Sequence, residues 1–563
     1  MPHELFSDWE KLKPFADKLF YGMDEGHTYL PLQSRQVNVL ANMPVLVGNA
    51  SEFKPFILDK QRLFSGRLWQ LEQQIAAHLL RLARGNGAKI IDWHWAAEQL
   101  HYHFNHMAEA QKTAVALALI QPLMLINGGP GTGKTTTVAS LLMLLCQNML
   151  RTQNKLPRIV LAAPTGKAAA HMADAFQVAL NRFSSDEGVE THLRQVGGQT
   201  LHRLLKLRPP LLQTPYSQEN SLSADIVVVD EVSMLDLSLL HTLLDALKTG
   251  TRLILLGDHN QLPAVGLGDV VRDLAQKTIL PRQTAEQLRR LLPEAKIDTE
   301  NHTPPLSANV VTLSQSHRFD AESGIGLLAS AVTQGNITSA AQAFSEFPEE
   351  LVWRQILSAK THSDLYQIQQ NYWQAVRQNN PAAVFAALKQ VMVLVVRRDD
   401  ATAFNQAYRD YLSLHEHSAQ KTWFAGLPLM VSQNDYSVGL YNGDIGVVLP
   451  DKKGVLQAYF DGGSRCVALS RLPEHEDAFA ITVHKSQGSE YDTVYLLPPN
   501  PAINAESDQT ALFSRALLYT AITRAKSRFV FLELPETFQA ALNTHSIRRS
   551  GLRTALQEQN NII

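Results

Sequence analysis

Cysteine is scarce in this sequence, which has only Cys146 and Cys466 among its 563 residues. Two thiols this far apart in the chain exclude a disulfide framework and cannot supply most of a four-ligand zinc site. Two reduced cysteines are typical of an intracellular protein. The length is enough for about three or four domains, each with its own hydrophobic core.

Long hydrophobic runs are also missing. The longest apolar stretch, 117–126, is interrupted by Gln121 and Pro122, and a membrane span needs about 18 uninterrupted apolar residues. The N-terminal segment MPHELFSDWEKLKPF is charged and has no apolar signal core. We therefore expect a soluble, intracellular protein that makes no membrane contact.

The sequence has no excess of either charge. It contains 51 Lys and Arg residues against 53 Asp and Glu residues, a formal net charge of −2. This balance excludes a bulk polycation, so any nucleic-acid site must be a local patch or groove.

The hydrophobic pattern changes along the chain. Residues 1–107 contain helix-like segments separated by Pro and Gly. From residue 108, short apolar runs alternate with amphipathic helices, which is the pattern of a parallel sheet flanked by helices. The predicted strands are 123–126, 158–162, 226–229 and 253–256 in one part, and 391–396, 478–483, 494–497 and 528–532 in another.

These regions predict an α/β protein with three domains. We expect a helical N-terminal domain at 1–107 and two sheet-containing domains at 108–309 and 310–563. The polar stretch 281–307 is expected to form a surface excursion or hinge between them. Residues 423–472 have short strands and Gly turns, which predict a small β-barrel insertion in the second of these domains.

Four histidines, His94, His101, His103 and His106, lie close together in the segment 93–107. A metal cluster is conceivable here, but no carboxylate or cysteine arrangement supports it. The pattern favours an interfacial or half-buried helix.

The segment Gly128-Gly129-Pro130-Gly131-Thr132-Gly133-Lys134-Thr135 fits the phosphate-loop pattern GxxxxGK[ST]. A predicted strand precedes it and a predicted helix follows it, as this loop requires. Glycines let the backbone aim N–H groups at phosphate oxygens, and the helix adds its positive N-terminal end. We expect Lys134 to neutralise phosphate charge and Thr135 to offer a hydroxyl to Mg²⁺.

Two carboxylates, Asp230 and Glu231, follow the predicted strand 226–229. Polar groups at the carboxyl end of a parallel strand lie where α/β folds bind their ligands. Asp230 suits a Mg²⁺ ligand, and Glu231 suits the base that activates the attacking water. Another strand, 253–256, ends near Gln261, which is placed to sense the γ-phosphate.

Later segments resemble the superfamily 1 helicases in both motif content and motif order. They include Ala163-Pro164-Thr165-Gly166-Lys167, Thr200-Leu201-His202-Arg203, Ser316-His317-Arg318-Phe319, Thr482 to Glu490, and Leu518-Tyr519-Thr520-Ala521-Ile522-Thr523-Arg524. The resemblance implies catalytic roles for Lys134, Glu231, Gln261, Arg318 and Arg524. It implies nucleotide contacts from Gln111, Gly128, Gly129, Pro130, Gly131, Thr132, Gly133, Lys134, Thr135, Thr136, Gly488 and Glu490. It implies DNA contacts from Thr165, Lys167, Thr200, His202, Thr482, His484, Lys485 and Ser486.

Within that superfamily, the motifs are similar to those of the RecD family, the alpha subunits of exodeoxyribonuclease V. The match covers about 108–540, and Val232 departs from it by standing where Ala is common. The resemblance implies two RecA-like motor domains with an SH3-like barrel insertion, using ATP and Mg²⁺. It also implies 5′-to-3′ movement on single-stranded DNA, action at double-stranded DNA ends in recombinational repair, RecB-like and RecC-like partners, and a bacterial cytoplasmic location near the nucleoid.

The segment 1–107 is too short for the long N-terminal extension of free-standing relatives, which favours a subunit of a complex. We expect this segment to dock on a large partner, so deleting it should spare the ATPase and abolish assembly. The sequence has no nuclease constellation, and the segment after Pro535 is too short for a nuclease domain, so nuclease activity is expected in a partner. Two alternatives remain: a regulatory DNA-stimulated ATPase that does not unwind, and an RNA helicase of the same superfamily.

Overall fold

The computed structural model describes residues 3–85, 91–102, 104, 107–181, 186–207, 213–315, 323–354, 358–416, 421–435, 437–499, 513–533, 535–545 and 547–562. Arg318, His103 and His106, which the sequence singles out, lie outside these residues. No helix in the described part of the chain is both long enough and apolar enough to cross a membrane.

The N-terminal region combines helices with a small sheet. Its elements are α1 (His3–Asp24), β1 (Tyr29–Pro31), α2 (Ser34–Ala41), β2 (Val47–Gly48), β3 (Phe56–Asp59), β4 (Arg62–Ser65), α3 (Gly66–Ala83) and α4 (Trp93–Tyr102). The helices agree with the predicted helical character, but the sheet, ordered β1-β4-β3-β2, was not predicted. Its strands are two to four residues long, which is too short to show a clear alternating pattern.

A parallel sheet dominates the next region, which we call the first lobe. Its elements are α5 (Glu109–Ile120), β5 (Leu123–Gly128), α6 (Lys134–Gln153), β6 (Ile159–Ala163), α7 (Gly166–Leu180), α8 (Glu187–Arg194), β7 (Gly198–Thr200), α9 (Leu201–Leu204), β8 (Ile226–Val229), α10 (Leu237–Asp245), β9 (Arg252–Gly257), α11 (Val270–Leu274), β10 (Ile279–Leu280), α12 (Arg282–Leu291), β11 (Asp298–Thr299) and β12 (Val310–Leu313). The six-stranded sheet has the order β12-β5-β9-β8-β6-β7, and all its pairs are parallel.

The four strands predicted for this lobe are confirmed as β5, β6, β8 and β9. Strand β8 is buried along its whole length because helices cover both faces of the sheet. Strand β12 follows the boundary predicted at 309 but pairs with β5. The first sheet therefore extends past that boundary, and we propose placing the boundary after Leu313.

The polar stretch 281–307 is not a simple surface excursion. It contains α12, whose apolar face places Ala285, Leu288 and Leu291 in the same core as Ile126 of β5. The many charges on α12 occupy its other face, so overall polarity hid an amphipathic helix.

A second parallel sheet defines what we call the second lobe. Its elements are α13 (Gly324–Gln334), α14 (Ile337–Glu346), β13 (Leu351–Trp353), α15 (Ser358–Ile368), α16 (Gln370–Arg377), α17 (Pro381–Leu388), β14 (Val391–Val395), α18 (Arg398–His415), β15 (Pro428–Val431), β16 (Ile445–Pro450), β17 (Leu456–Phe460), β18 (Arg465–Ala468), β19 (His475–Asp477), β20 (Ala480–Thr482), β21 (Tyr491–Leu497), α19 (Arg515–Ile522), β22 (Ala525–Phe531) and α20 (Pro535–Asn543). One more helix, α21 (Leu552–Ile562), follows the second lobe in the chain. The sheet has the order β13-β22-β21-β14-β20, with parallel pairing throughout. The four predicted strands are confirmed as β14, β20, β21 and β22.

Strands β15 to β19 form a separate antiparallel sheet inserted between α18 and β20. Its order is β18-β17-β16-β15-β19. The sheet overlaps the predicted insertion at 423–472 and extends to Asp477. At a turn before β16, Gly443 has a φ of +92°, which is why a glycine is needed there.

The last helix, α21, packs against α3 rather than against the second lobe. Leu552, Ala555 and Leu556 are buried in one core with Leu79 of α3 and Leu253 of β9. The N-terminal region and the C-terminal helix therefore both contribute to the core on one face of the first sheet.

Candidate nucleotide and nucleic-acid sites

The phosphate loop connects the end of β5 to the start of α6, as the sequence predicts. Gly131 and Gly133 have φ values of +76° and +79°, a backbone region that is costly for other residues. Gly133 precedes the first residue of α6, so the loop opens at the positive end of a 20-residue helix. The local geometry is that of an anion-binding loop.

Lys134 and Gln111 are both anchored to this loop. The Lys134 Nζ donates to the carbonyl oxygens of Gly128, at 2.5 Å, and Gly129, at 3.1 Å. The Gln111 Nε2 donates to the carbonyl oxygen of Thr132 at 3.1 Å, and its Oε1 accepts from the amide of Ala108. Gln111 is therefore held beside the phosphate loop.

Asp230 and Glu231 lie at the carboxyl end of β8, beside Lys134. The amide of Glu231 donates to Asp230 Oδ1 at 2.8 Å. Burial raises the pKa of the Asp230 carboxyl, against the opposing effect of Lys134. Burial and then the Asp230 charge raise the pKa of Glu231. Glu231 also has a φ of +52°, a strained conformation for a residue with a side chain, and such strain clusters at functional sites.

The second lobe contributes Arg524 to the same cleft. Its guanidinium is buried and donates to the carbonyl oxygens of Thr520, at 3.1 Å, and Ser489, at 3.3 Å. Gly488 and Glu490, on the neighbouring loop, also line the cleft. Residues from the two lobes thus line one cleft, which has the phosphate loop on one side and the Arg524 guanidinium on the other.

One cleft of about 660 Å³ collects most of the nucleotide residues predicted from the sequence. Its lining includes Gln111, Gly129, Pro130, Gly131, Thr132, Gly133, Lys134, Thr135, Thr136, Asp230, Glu231, Gln261, Gly488, Glu490 and Arg524. Gly128 lies just behind this lining, as the carbonyl partner of Lys134. Met107, His171 and Ala175 also line the cleft, and no sequence motif selects them.

The residues predicted to contact DNA divide between two further clefts and several buried positions. Thr165 and His202 line a cleft of about 1090 Å³ that also reaches Asn442 and Gln487. Lys167 lines a third cleft, of about 610 Å³, with Lys389, Arg465 and Lys526. Burial lowers the pKa of Lys167 to about 8, and its Nζ donates to the Ser489 hydroxyl. The Thr200 hydroxyl caps α9 by accepting from the amide of Arg203.

The segment 482–486 is less accessible than predicted. Ser486 is fully buried and its hydroxyl donates to the carbonyl oxygen of Val483, so it cannot reach a strand in this conformation. Thr482 is buried and its hydroxyl accepts from the amide of Lys485. The Lys485 ammonium pairs with Glu476, and burial lowers the pKa of His484. These contacts arise from tertiary packing, which a motif match does not reveal.

Tyr519 is a residue of the cleft region that sequence reasoning did not assign to the site. Its hydroxyl donates to Asp258 Oδ2 at 2.9 Å. A Cβ built on Gly129 would lie 2.7 Å from the same hydroxyl, so this second-lobe side chain touches the phosphate loop of the first lobe. The segment containing Tyr519 was recognised, but nothing in its pattern distinguishes this tyrosine from a core residue.

Comparison with known proteins agrees with this geometry. Residues 111–267 match the family described as an AAA domain, and residues 477–532 match the UvrD-like helicase C-terminal domain. The protein is therefore an ATP-dependent helicase of superfamily 1. It is 32% identical to the RecBCD enzyme subunit RecD of Haemophilus influenzae, over 94% of this chain and 86% of that protein. The chain belongs to the RecD family.

Two other proteins are also similar to this chain. The RecBCD enzyme subunit RecD of Mycolicibacterium smegmatis is 33% identical, over 88% of this chain and 82% of that protein. The ATP-dependent RecD2 DNA helicase of Deinococcus radiodurans is 25% identical, over 96% of this chain but 67% of that protein.

Proposed function

We propose that this chain is the 5′-to-3′ DNA motor of a RecBCD-type helicase–nuclease that acts on double-strand breaks in homologous recombination. The observation that carries the proposal is the cleft between the lobes. Lys134 and Glu231 come from the first lobe, and Arg524 comes from the second. Because the cleft needs both lobes, binding and hydrolysis of ATP change their separation, and a strand held across both is moved.

Within that cleft, each group has a distinct chemical task. Lys134 and the loop amides hold the β- and γ-phosphates, and Gln111 contacts the adenine. Glu231 accepts a proton from the attacking water while Gln261 and Arg524 contact the γ-phosphate. The Thr135 hydroxyl and the Asp230 carboxylate line the same space and are the hard oxygen donors that Mg²⁺ prefers. When bound, Mg²⁺ would neutralise charge on the phosphates.

The cleft of about 1090 Å³ is our proposed path for single-stranded DNA. The polar side chains in its mixed lining, among them Thr165, His202 and Gln487, suit contact with phosphate and sugar rather than with base edges. Asn442, in the turn before β16, brings the antiparallel sheet to the same cleft. We propose that this sheet is the SH3-like barrel of the family and helps to hold the strand.

We further propose that RecB-like and RecC-like subunits are the partners of this chain and that one of them carries the nuclease. The names of the relatives from H. influenzae and M. smegmatis, both RecBCD subunits, support this assignment. So does the coverage of those relatives, because this chain spans more than four fifths of each. Assembly in the bacterial cytoplasm, close to the nucleoid, follows from that role.

Strand polarity in the native complex tests the proposal. The complex is purified through this chain, as wild type and as Lys134→Ala, and given duplexes with either a 5′ or a 3′ single-stranded tail. We expect the variant to lose unwinding that starts on the 5′ tail and to keep movement driven by a partner. Equal loss on both tails would contradict the proposed polarity, and absence of RecB-like and RecC-like partners would contradict the proposed complex.

Two controls separate the alternatives. Single-stranded RNA in place of DNA should fail to stimulate the ATPase; equal stimulation would favour an RNA helicase. A Lys134→Ala complex that unwinds both substrates normally would show that this ATPase regulates the partners without unwinding.

A further inference from the structure

The loop 258–262 leaves the first lobe after β9 but is anchored in the second lobe. The Leu262 side chain is buried in the second-lobe core, with Leu517 and Leu518 of α19. The Leu262 amide donates to Thr520 Oγ1 at 3.0 Å, and its carbonyl oxygen accepts from Gln487 Nε2 at 3.1 Å. Both backbone groups and the side chain of Leu262 are therefore held by the opposite lobe.

Tyr519 fixes the other end of this loop. Its hydroxyl donates to Asp258 Oδ2 at 2.9 Å, and both side chains are buried. The Asp258 carbonyl oxygen in turn accepts from the amide of Gln261 at 3.2 Å. A short chain of hydrogen bonds thus runs from the Tyr519 hydroxyl through Asp258 to the backbone of Gln261.

Gln261 lies between these two anchors and lines the nucleotide cleft. It is buried, and its Oε1 has no hydrogen-bond partner among the described atoms. A buried acceptor without a partner is costly unless a ligand or water supplies a donor. The position of this oxygen depends on the loop 258–262, and the hydrogen bonds of Asp258 and Leu262 hold that loop against the second lobe.

We propose that Tyr519 is a positioning residue that makes Gln261 move with the second lobe, so that Gln261 and Arg524 meet the γ-phosphate as one unit. Arg524 lies five residues after Tyr519, and its guanidinium donates to the carbonyl oxygen of Thr520. Tyr519 and Arg524 are therefore both held by the C-terminal part of α19. Opening of the lobes withdraws both from the phosphate together. The inference rests on the proposed role of Gln261 in hydrolysis.

A double-mutant cycle tests this assignment in the full-length chain. Steady-state ATP hydrolysis with saturating oligo(dT) is measured for wild type, Tyr519→Phe, Gln261→Ala and the double variant. Misplacement of a catalytic group by about 1 Å can cost about 100-fold, so we expect Tyr519→Phe to lower kcat between about 10-fold and about 100-fold. The KM for ATP should change little. In the Gln261→Ala background, Tyr519→Phe should have almost no further effect, because it acts through Gln261.

Tyr372 provides a matched control. Its buried hydroxyl donates to the Gly426 carbonyl oxygen at 2.9 Å, and this hydrogen bond lies outside the nucleotide cleft. Tyr372→Phe removes an equivalent hydrogen bond and should leave kcat unchanged. Thr520→Val, which removes the acceptor for the Leu262 amide, should reproduce the Tyr519→Phe pattern if Tyr519→Phe does not fold.

Fully additive effects of Tyr519→Phe and Gln261→Ala would overturn the inference, as would wild-type kcat in Tyr519→Phe. Both outcomes are independent of strand polarity. A chain that moves 3′ to 5′ would refute the proposed function but leave the coupling of Tyr519 to Gln261 intact.

Discussion

At the scale of single residues, we expect phosphate binding by the loop to depend on the Lys134 ammonium. Lys134 is the side chain whose ammonium is already held over the loop carbonyls, at 2.5 Å and 3.1 Å. In the isolated chain, we expect Lys134→Ala and Lys134→Gln to abolish ATP hydrolysis and unwinding while leaving the melting temperature close to that of wild type. Lys277→Ala, which removes an exposed lysine paired with Asp298, is the control and should hydrolyse ATP normally. Normal turnover in Lys134→Ala would remove this loop from the mechanism.

Glu231 gives a second residue-scale prediction, with a defined pH dependence. Glu231→Gln should bind ATP and hydrolyse it slowly, because the amide keeps the shape of the side chain and loses the base. Burial and the Asp230 charge raise the pKa of Glu231 above its ordinary 4.5, and protonation removes the base. In the wild type, kcat/KM for ATP should therefore fall as the pH decreases through an apparent pKa above 4.5 that belongs to the coupled pair.

A nucleotide-binding assay separates the two possible roles of Glu231. If Glu231→Gln loses ATP affinity together with turnover, this carboxylate supports the structure of the site. If kcat/KM is flat across the acid range, the base is another group.

Arg524 should affect turnover more than affinity. Charge on the transferred phosphoryl group is stabilised in the transition state, and an arginine in this role can contribute about 10³- to 10⁵-fold in rate. We expect Arg524→Ala to lower kcat strongly with a small change in ATP affinity. Arg524→Lys should recover only part of the lost kcat, because lysine lacks the planar fork of the guanidinium. Arg318→Ala should behave in the same way if Arg318 reaches the phosphate. Wild-type kcat in either alanine variant would exclude that arginine from the site.

At the scale of elements, the contact between α21 and α3 should stabilise the first lobe. Leu552 is fully buried in that contact, and replacing a buried leucine by alanine costs about 2–5 kcal/mol. Leu552→Ala should therefore speed amide hydrogen exchange in α3 by lowering its opening free energy by a similar amount. Ile547→Ala, which shortens an exposed side chain in the preceding segment, should leave that exchange unchanged. Equal exchange in Leu552→Ala would show that α21 contributes no stability.

The elements also show which parts of the fold the sequence could predict. Continuous apolar runs such as Ile226–Val229 predicted all eight of the strands singled out for the parallel sheets, because burial on both faces leaves a local pattern. The pairing of β12 with β5 could not be predicted, since sheet membership is a long-range property. The short strands around Phe56–Asp59 were missed because strands of two to four residues are too short to show a clear alternating pattern.

The candidate site was predictable to a similar extent. The nucleotide residues lie in contiguous motifs, and the structure brings nearly all of them to one cleft. The DNA residues were less predictable, because exposure depends on packing that no motif specifies: Ser486 fits its motif and is fully buried. Tyr519 was missed for the complementary reason, since its importance comes from contacts with Asp258 and Gly129 far away in sequence.

At the scale of the whole molecule, the structure changes how partner docking should be tested. Deleting 1–107, the test suggested by the sequence alone, would remove Leu79 of α3 and Leu100 of α4 from the cores of the first lobe. Loss of ATPase in that deletion is therefore expected, contrary to the sequence-based expectation. Substitutions of exposed side chains in this region avoid the problem.

Tyr21 and Phe53 are suitable because they are 68% and 83% exposed. Aromatic side chains dominate the energetics of interface cores, so we expect Tyr21→Asp with Phe53→Asp to weaken co-purification of the partners by about tenfold or more. DNA-stimulated ATPase of the isolated chain should be unchanged. Leu414→Asp, at an 82% exposed position of α18, is the control. Undiminished co-purification would place the docking surface elsewhere.

The position of α21 has a consequence for how the protein is made. All strands of the first parallel sheet are synthesised before the second lobe. Leu552, Ala555 and Leu556, which cover part of the core of that sheet, leave the ribosome only after the whole second lobe. During synthesis, the apolar surface around Leu79 and Leu253 stays uncovered until α21 arrives, and exposed apolar surface on nascent domains promotes aggregation. We expect ribosome-bound chains that stop after α20 to hold a first lobe that is more easily cleaved by protease than the same lobe in the released protein.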